Sequence, residues 1–131
     1  MKKLKLIPLL LLLYLVPLVA LAAPIDKLAD LIKQGNAHEL AKSFAASIDI
    51  TVLENTNVYS KVQAELILEK FFKENKPISV KVLHRVNSSA TFNYTVLLLT
   101  TEKGKFRVAY TLKEVEKEMV VIELRIETEK T

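Results

Sequence analysis

ISVKVLHRVNSSATFNYTVLLLTTEKGKFRVAYTLKEVEKEMVVIELRIET, residues Ile78–Thr128, is the stretch that decides the fold. A strand sends successive side chains to opposite faces, so alternation of apolar and polar residues marks a half-buried strand. Four such runs follow one another here. In the first, Ile78, Val80, Val82, His84 and Val86 share one face, and Ser79, Lys81, Leu83 and Arg85 the other. In the second, Phe92, Tyr94, Val96 and Leu98 stand against Asn93, Thr95, Leu97 and Leu99. Both faces are apolar near Leu97–Leu99, which predicts a place inside the sheet. The third sets Phe106, Val108, Tyr110 and Leu112 against Arg107, Ala109, Thr111 and Lys113; the fourth sets Val120, Ile122, Leu124 and Ile126 against Val121, Glu123, Arg125 and Glu127. Asn87-Ser88-Ser89 and Glu102-Lys103-Gly104-Lys105 read as turns, and Glu114–Glu118 as a charged connection. Short connections make these neighbours antiparallel. The apolar face then needs a cover.

The residues ahead of the sheet supply it. Pro24–Gly35 reads as a helix, with Leu28, Leu31 and Ile32 at helical spacing, Asp26 at the positive end and Gly35 at the stop. Asn36 caps a second helix, with Glu39 in the capping-box position and Ala37, Leu40, Ala41 and Phe44 inside; His38 is expected in solvent. Ser47–Leu53 alternates as a short strand and Glu54–Asn57 reads as a turn. Ser60 caps a third helix with Gln63 as its box partner, and Ala64, Ile67, Leu68, Phe71 and Phe72 form the inner stripe. Asn75-Lys76-Pro77 ends it.

Residues 1–22 read as a secretory signal: Lys2, Lys3 and Lys5, an apolar centre from Ile7 to Val19, and a small-residue cleavage site at Ala20-Leu21-Ala22. The apolar run carries Pro8 and Pro17 and is short for a spanning helix, so no stable membrane anchor is expected after cleavage. Residues 23–131 are then a single domain in the periplasm or outside the cell. The whole chain carries 19 Lys+Arg and 15 Asp+Glu; three lysines leave with the signal, so 16 face 15 in the mature domain. Such a balanced surface gives no reason to expect nucleic acid as a partner. With no Cys, two His and two Gly, no disulfide, metal site, cofactor or glycine-rich phosphate loop is expected.

The element order is helix, helix, strand, helix, then an antiparallel meander, an α+β pattern. A twisted sheet curling round packed helices makes a cone. This order resembles the nuclear-transport-factor-2-like fold, also described as cystatin-like. Four stretches carry a closer likeness: Val58-Tyr59-Ser60-Lys61-Val62-Gln63-Ala64-Glu65, Leu68-Glu69-Lys70-Phe71-Phe72, Val82-Leu83-His84 and Gly104-Lys105-Phe106-Arg107-Val108. Together they resemble a family of small exported proteins of unknown function from Bacteroidetes-type bacteria, over nearly all of Ile25–Glu127. The resemblance implies the cone fold and export; it implies no activity. A glycine expected shortly after the histidine is replaced here by Val86 and Asn87.

No catalytic set stands out. The constellation to follow is His84, Tyr94 and Tyr110 on the expected concave face, with Tyr59 at the helix entry. Polar tips in an apolar hollow are the usual makeup of a small-ligand site. The structural reading competes: a lone histidine on an apolar face is commonly a hydrogen-bonded core residue, and tyrosines pack well in sheets. Two functions remain open. One is a non-enzymatic binding module for a small apolar ligand or a protein partner, including a homodimer through an outer-face patch of Leu83, Leu97, Leu99 and Val121. The other is a small isomerase- or dehydratase-type enzyme using His84 with a tyrosine. Asp49 is expected to face out, and Arg107 to pair across strands with Glu123.

Overall fold

The computed structural model describes residues 26–130. The expected signal, residues 1–22, lies outside them. The elements are α1 (Lys27–Gln34), α2 (Ala37–Ala41), β1 (Phe44–Val52), β2 (Asn55–Ser60), α3 (Lys61–Glu74), β3 (Pro77–Ser89), β4 (Phe92–Thr101), β5 (Gly104–Val115) and β6 (Glu118–Thr128).

Each helix starts on a side-chain cap that satisfies an otherwise orphaned backbone donor. Asp26 Oδ1 accepts from Ala29 N at 2.7 Å, and Asn36 Oδ1 from Glu39 N at 3.1 Å. Ser60 Oγ accepts from Gln63 N at 3.2 Å while Ser60 N donates to Gln63 Oε1 at 3.1 Å, a complete capping box. Gly35 closes α1 in the left-handed region at φ 67, and a Cβ there would press on Phe72 and Pro77 at 3.4 Å.

The six strands form one sheet in the order β2-β1-β6-β5-β4-β3. β1 runs parallel to β6; every other neighbouring pair is antiparallel. β2 is an addition to the sequence reading, which took Glu54–Asn57 as a turn. The turn is only Leu53–Glu54, with Leu53 at φ 59, and the polar run after it pairs regularly back along β1. Period-2 patterning is blind to such a strand because five of its six residues are exposed.

Cross-strand partners share a face, so the register fixes which side chains meet the helices. One inner row is Val82, Leu97, Val108, Ile126 and Val52; the next is Arg85, Thr95, Tyr110, Leu124 and Ile50. Leu97, Leu99, Val108, Tyr110, Val121, Leu124 and Ile126 are at most 1% exposed and pack on Ile32, Leu40, Leu68, Phe71 and Phe72.

Three expectations about facing are corrected. β4 is turned over: Thr95, Leu97 and Leu99 point inward, and Phe92, Tyr94, Val96 and Leu98 outward. In β3 the register shifts between Val82 and His84, so His84 pairs with Val96 on the outer face. In β6 it shifts opposite Thr111 and Leu112; Val121 turns inward and Ile122 is the extra residue. A bulge adds one residue and reverses parity beyond it, which alternation alone cannot reveal.

Candidate functional site

The space between helices and sheet is filled by side chains. Phe71 meets Phe72 and Phe106 edge-to-face, with ring centroids 5.8 and 5.1 Å apart. Phe44 and Tyr110, each 1% exposed, complete the filling. His84 and Tyr94 do not share this interior with Tyr110. His84 is exposed and Tyr94 half-buried, both on the outer face. The convergent His/Tyr pocket that the isomerase- or dehydratase-type reading requires is therefore not formed by these residues. His84 is not a core residue either. Leu97, Leu99 and Val121 belong to the core, so of the expected outer patch only Leu83 remains outside. Arg107 pairs with Glu129, Nε to Oε2 at 3.0 Å, rather than with Glu123. Asp49 does face out, in a row with Glu123, Thr111 and Tyr94.

Tyr110 is part of a polar cluster that alternation did not reveal. Its hydroxyl donates to Asp26, 2.9 Å from each carboxylate oxygen. Arg85 Nη2 donates to Asp26 Oδ2 at 3.1 Å. The bulge in β3 is what makes this possible: it turns Arg85 inward, beside Thr95 and Tyr110 in one row, under the N-terminus of α1. Burial first, and the Asp26 carboxylate second, hold the Tyr110 phenol well above the usual tyrosine range, so it remains a donor. Asp26 thus caps α1 and ties it to the sheet at once. A shallow opening of about 320 Å³ beside it is bordered by Lys27, Asn87, Asn93 and Leu112. The cluster's polar atoms satisfy one another, which is the character of a structural latch.

Tyr59 lies elsewhere, at a cleft of about 290 Å³ between α3 and the β1–β2 hairpin. Ile50, Val52, Ile67 and Phe71 give it an apolar floor. Tyr59, Asn55, Lys70, Glu74 and Asn75 give it a polar rim. The Tyr59 hydroxyl accepts from Asn57 Nδ2 at 3.4 Å, because Asn57 and Tyr59 are two apart on one face of β2. Lys70 and Glu74 sit on successive turns of α3 and appear in no ion pair among the described residues. Of the four candidate ligand residues Tyr59, His84, Tyr94 and Tyr110, Tyr59 alone lines this cleft. Its other members carry no ligand-binding motif; the β2 hairpin that completes the cleft was the element missed. Among the described residues no three His, Cys, Asp or Glu side chains gather as a metal site. No helix among them is long and apolar enough to cross a membrane.

A family model described as "Domain of unknown function (DUF4783)" matches residues 25–127. The chain belongs to the DUF4783 family. A DUF4783 protein from Bacteroides uniformis is similar at 25% identity and TM-score 0.74, over 79% of this chain and 94% of that one. A domain of unknown function with a cystatin-like fold from Nostoc punctiforme aligns at TM-score 0.65 and 9% identity, over 80% of this chain and 72% of that one. An NTF2-type designed protein with a long sheet aligns at TM-score 0.60 and 14% identity, over 75% and 91%. No curated protein matches the chain.

The α+β, cystatin-like and NTF2-like architecture expected for this DUF4783 member is thus the one found, and the family is the one its four stretches resembled. Membership assigns no activity, so any function must be argued from the cleft, the latch and the surface of this DUF4783 domain.

Proposed function

We propose that this chain is an exported, non-enzymatic binding module whose ligand, a small apolar molecule or a segment of a protein partner, enters the cleft between α3 and the β1–β2 hairpin. One observation carries the reading. The interior of the cone is packed with aromatic side chains, while this cleft keeps an apolar floor under a polar rim whose Lys70 and Glu74 enter no ion pair among the described residues. An apolar concavity with a few polar groups at its edge holds an apolar body and orients one charged or hydrogen-bonding end. Lys70 would meet an anionic end, and the Tyr59 hydroxyl could donate beside it. The export part rests on the residue pattern of Met1–Ala22.

The test uses 8-anilinonaphthalene-1-sulfonate, an apolar ring system with one anionic group. Purified protein is expected to bind it saturably with a rise in fluorescence. Ile67→Trp fills the cleft and should weaken binding at least about tenfold, a loss on the scale of one buried apolar side chain. Tyr94→Ala, on the outer face, should leave it unchanged. Equal binding by the Ile67→Trp protein, or loss with Tyr94→Ala, overturns the proposal.

A further inference from the structure

The two edges of the sheet are built differently. β3 carries Pro77, Lys81 and Arg85, is bulged at Val82–His84, and has α1 packed beside it. Charges, proline, bulges and cover are the devices that keep an edge from pairing with another chain. β2 has no charge, proline or bulge. Asn55-Thr56-Asn57-Val58-Tyr59-Ser60 contains no charge, proline or glycine and pairs with β1 without a register shift. The turn Leu53–Glu54 is two residues long, so the flanking pair Val52 and Asn55 exchanges hydrogen bonds. Alternation then directs the N–H and C=O groups of Thr56, Val58 and Ser60 off the sheet. The Ser60 N–H is taken by the Gln63 side chain of the capping box. Those of Thr56 and Val58 face an open edge.

That edge borders the cleft. The side chains of Asn55 and Tyr59 point from β2 into it, and α3 forms the far wall. An edge strand beside a groove walled by a helix is the arrangement that takes an extended peptide: main-chain bonds hold it, and alternate side chains enter the groove. We infer that the ligand of the cleft is an extended polypeptide segment that adds to β2 as a further strand. Its groove-facing residues carry an apolar side chain for the Ile50–Ile67–Phe71 floor. At two-residue spacing they carry an acidic residue on the Lys70 side and a basic residue on the Glu74 side. Lys70 and Glu74, in no ion pair among the described residues, supply the charge complementarity, and their order sets the direction of the bound strand. This rests on the cleft being the binding site.

The experiment selects a displayed library of linear peptides, long enough to pair with all of β2, on the purified protein. Enriched peptides are expected to show the acidic, apolar, basic alternation and to protect the amides of Thr56 and Val58 from hydrogen exchange. Val58→Pro removes an outward N–H without touching a β1 pairing bond. It should weaken the selected peptides by about tenfold, the effect of losing one backbone bond. Binding of anilinonaphthalene sulfonate should persist in that variant, which also reports that it is folded. Retained dye binding with no peptide enrichment, or enriched peptides indifferent to Val58→Pro and to Thr56 and Val58 exchange, overturns the inference and leaves the cleft reading standing. Failure of both probes ends both.

Discussion

Leu97→Ala and Leu99→Ala are each expected to lower the unfolding free energy by about 2–5 kcal/mol, while His84→Ala should change it by no more than about 0.5 kcal/mol. Both leucines are 0% exposed, held between β3 and β5 opposite Val82 and Val80 on one side and Val108 and Phe106 on the other. Truncating either leaves a cavity in a region packed from both strands and from the helices above. His84 sits past the bulge on the outer face and is exposed. Urea unfolding of the three variants gives the ordering directly. A cost for His84→Ala that matches either leucine would mean that β3 and β4 face the opposite way.

Asp26→Ala should cost about 2–4 kcal/mol. The lost helix cap contributes about 1 kcal/mol. The Tyr110 hydroxyl, left in a 1% exposed side chain without its acceptor, adds about 1–3 kcal/mol. The half-exposed Arg85 pair adds little. The effect is cooperative, so Asp26→Ala in a Tyr110→Phe background should cost less than in the native chain, by about 1 kcal/mol or more. The same latch gives a pH signature. The folded phenol is held above the ordinary tyrosine range, whereas the unfolded one titrates near its usual value of about 10. The stabilisation is therefore complete below about pH 10 and declines above it, by up to about 1.4 kcal/mol per pH unit. Tyr110→Phe should flatten that alkaline limb in denaturant midpoints taken across pH 9–11 (about the window in which free tyrosine ionises).

What the sequence made legible follows from period. α3 announced itself through Ser60, Gln63 and the Ala64–Leu68–Phe71–Phe72 stripe, all of which hold their expected places. β5 alternates without a break, and Phe106, Val108 and Tyr110 point inward as read. β4 failed because Val96–Leu99 is apolar on both faces, and Phe92 and Tyr94 tipped the choice. Aromatic residues suit an exposed sheet face as well as a buried one. His84 failed because one extra residue in β3 is invisible to alternation. The candidate site was legible only through Tyr59, since its remaining residues are brought together by a polar strand with no periodic signal.

The reading of the cleft has one most direct measurement: a crystal structure of the protein purified from the cells that make it, inspected for bound density. The account predicts density over Ile50, Ile67 and Phe71, beside Tyr59, continued along β2 as an added strand. Density lodged instead between Phe72, Phe106 and Tyr110, or a ligand on the outer face around Tyr94 and His84, would contradict it.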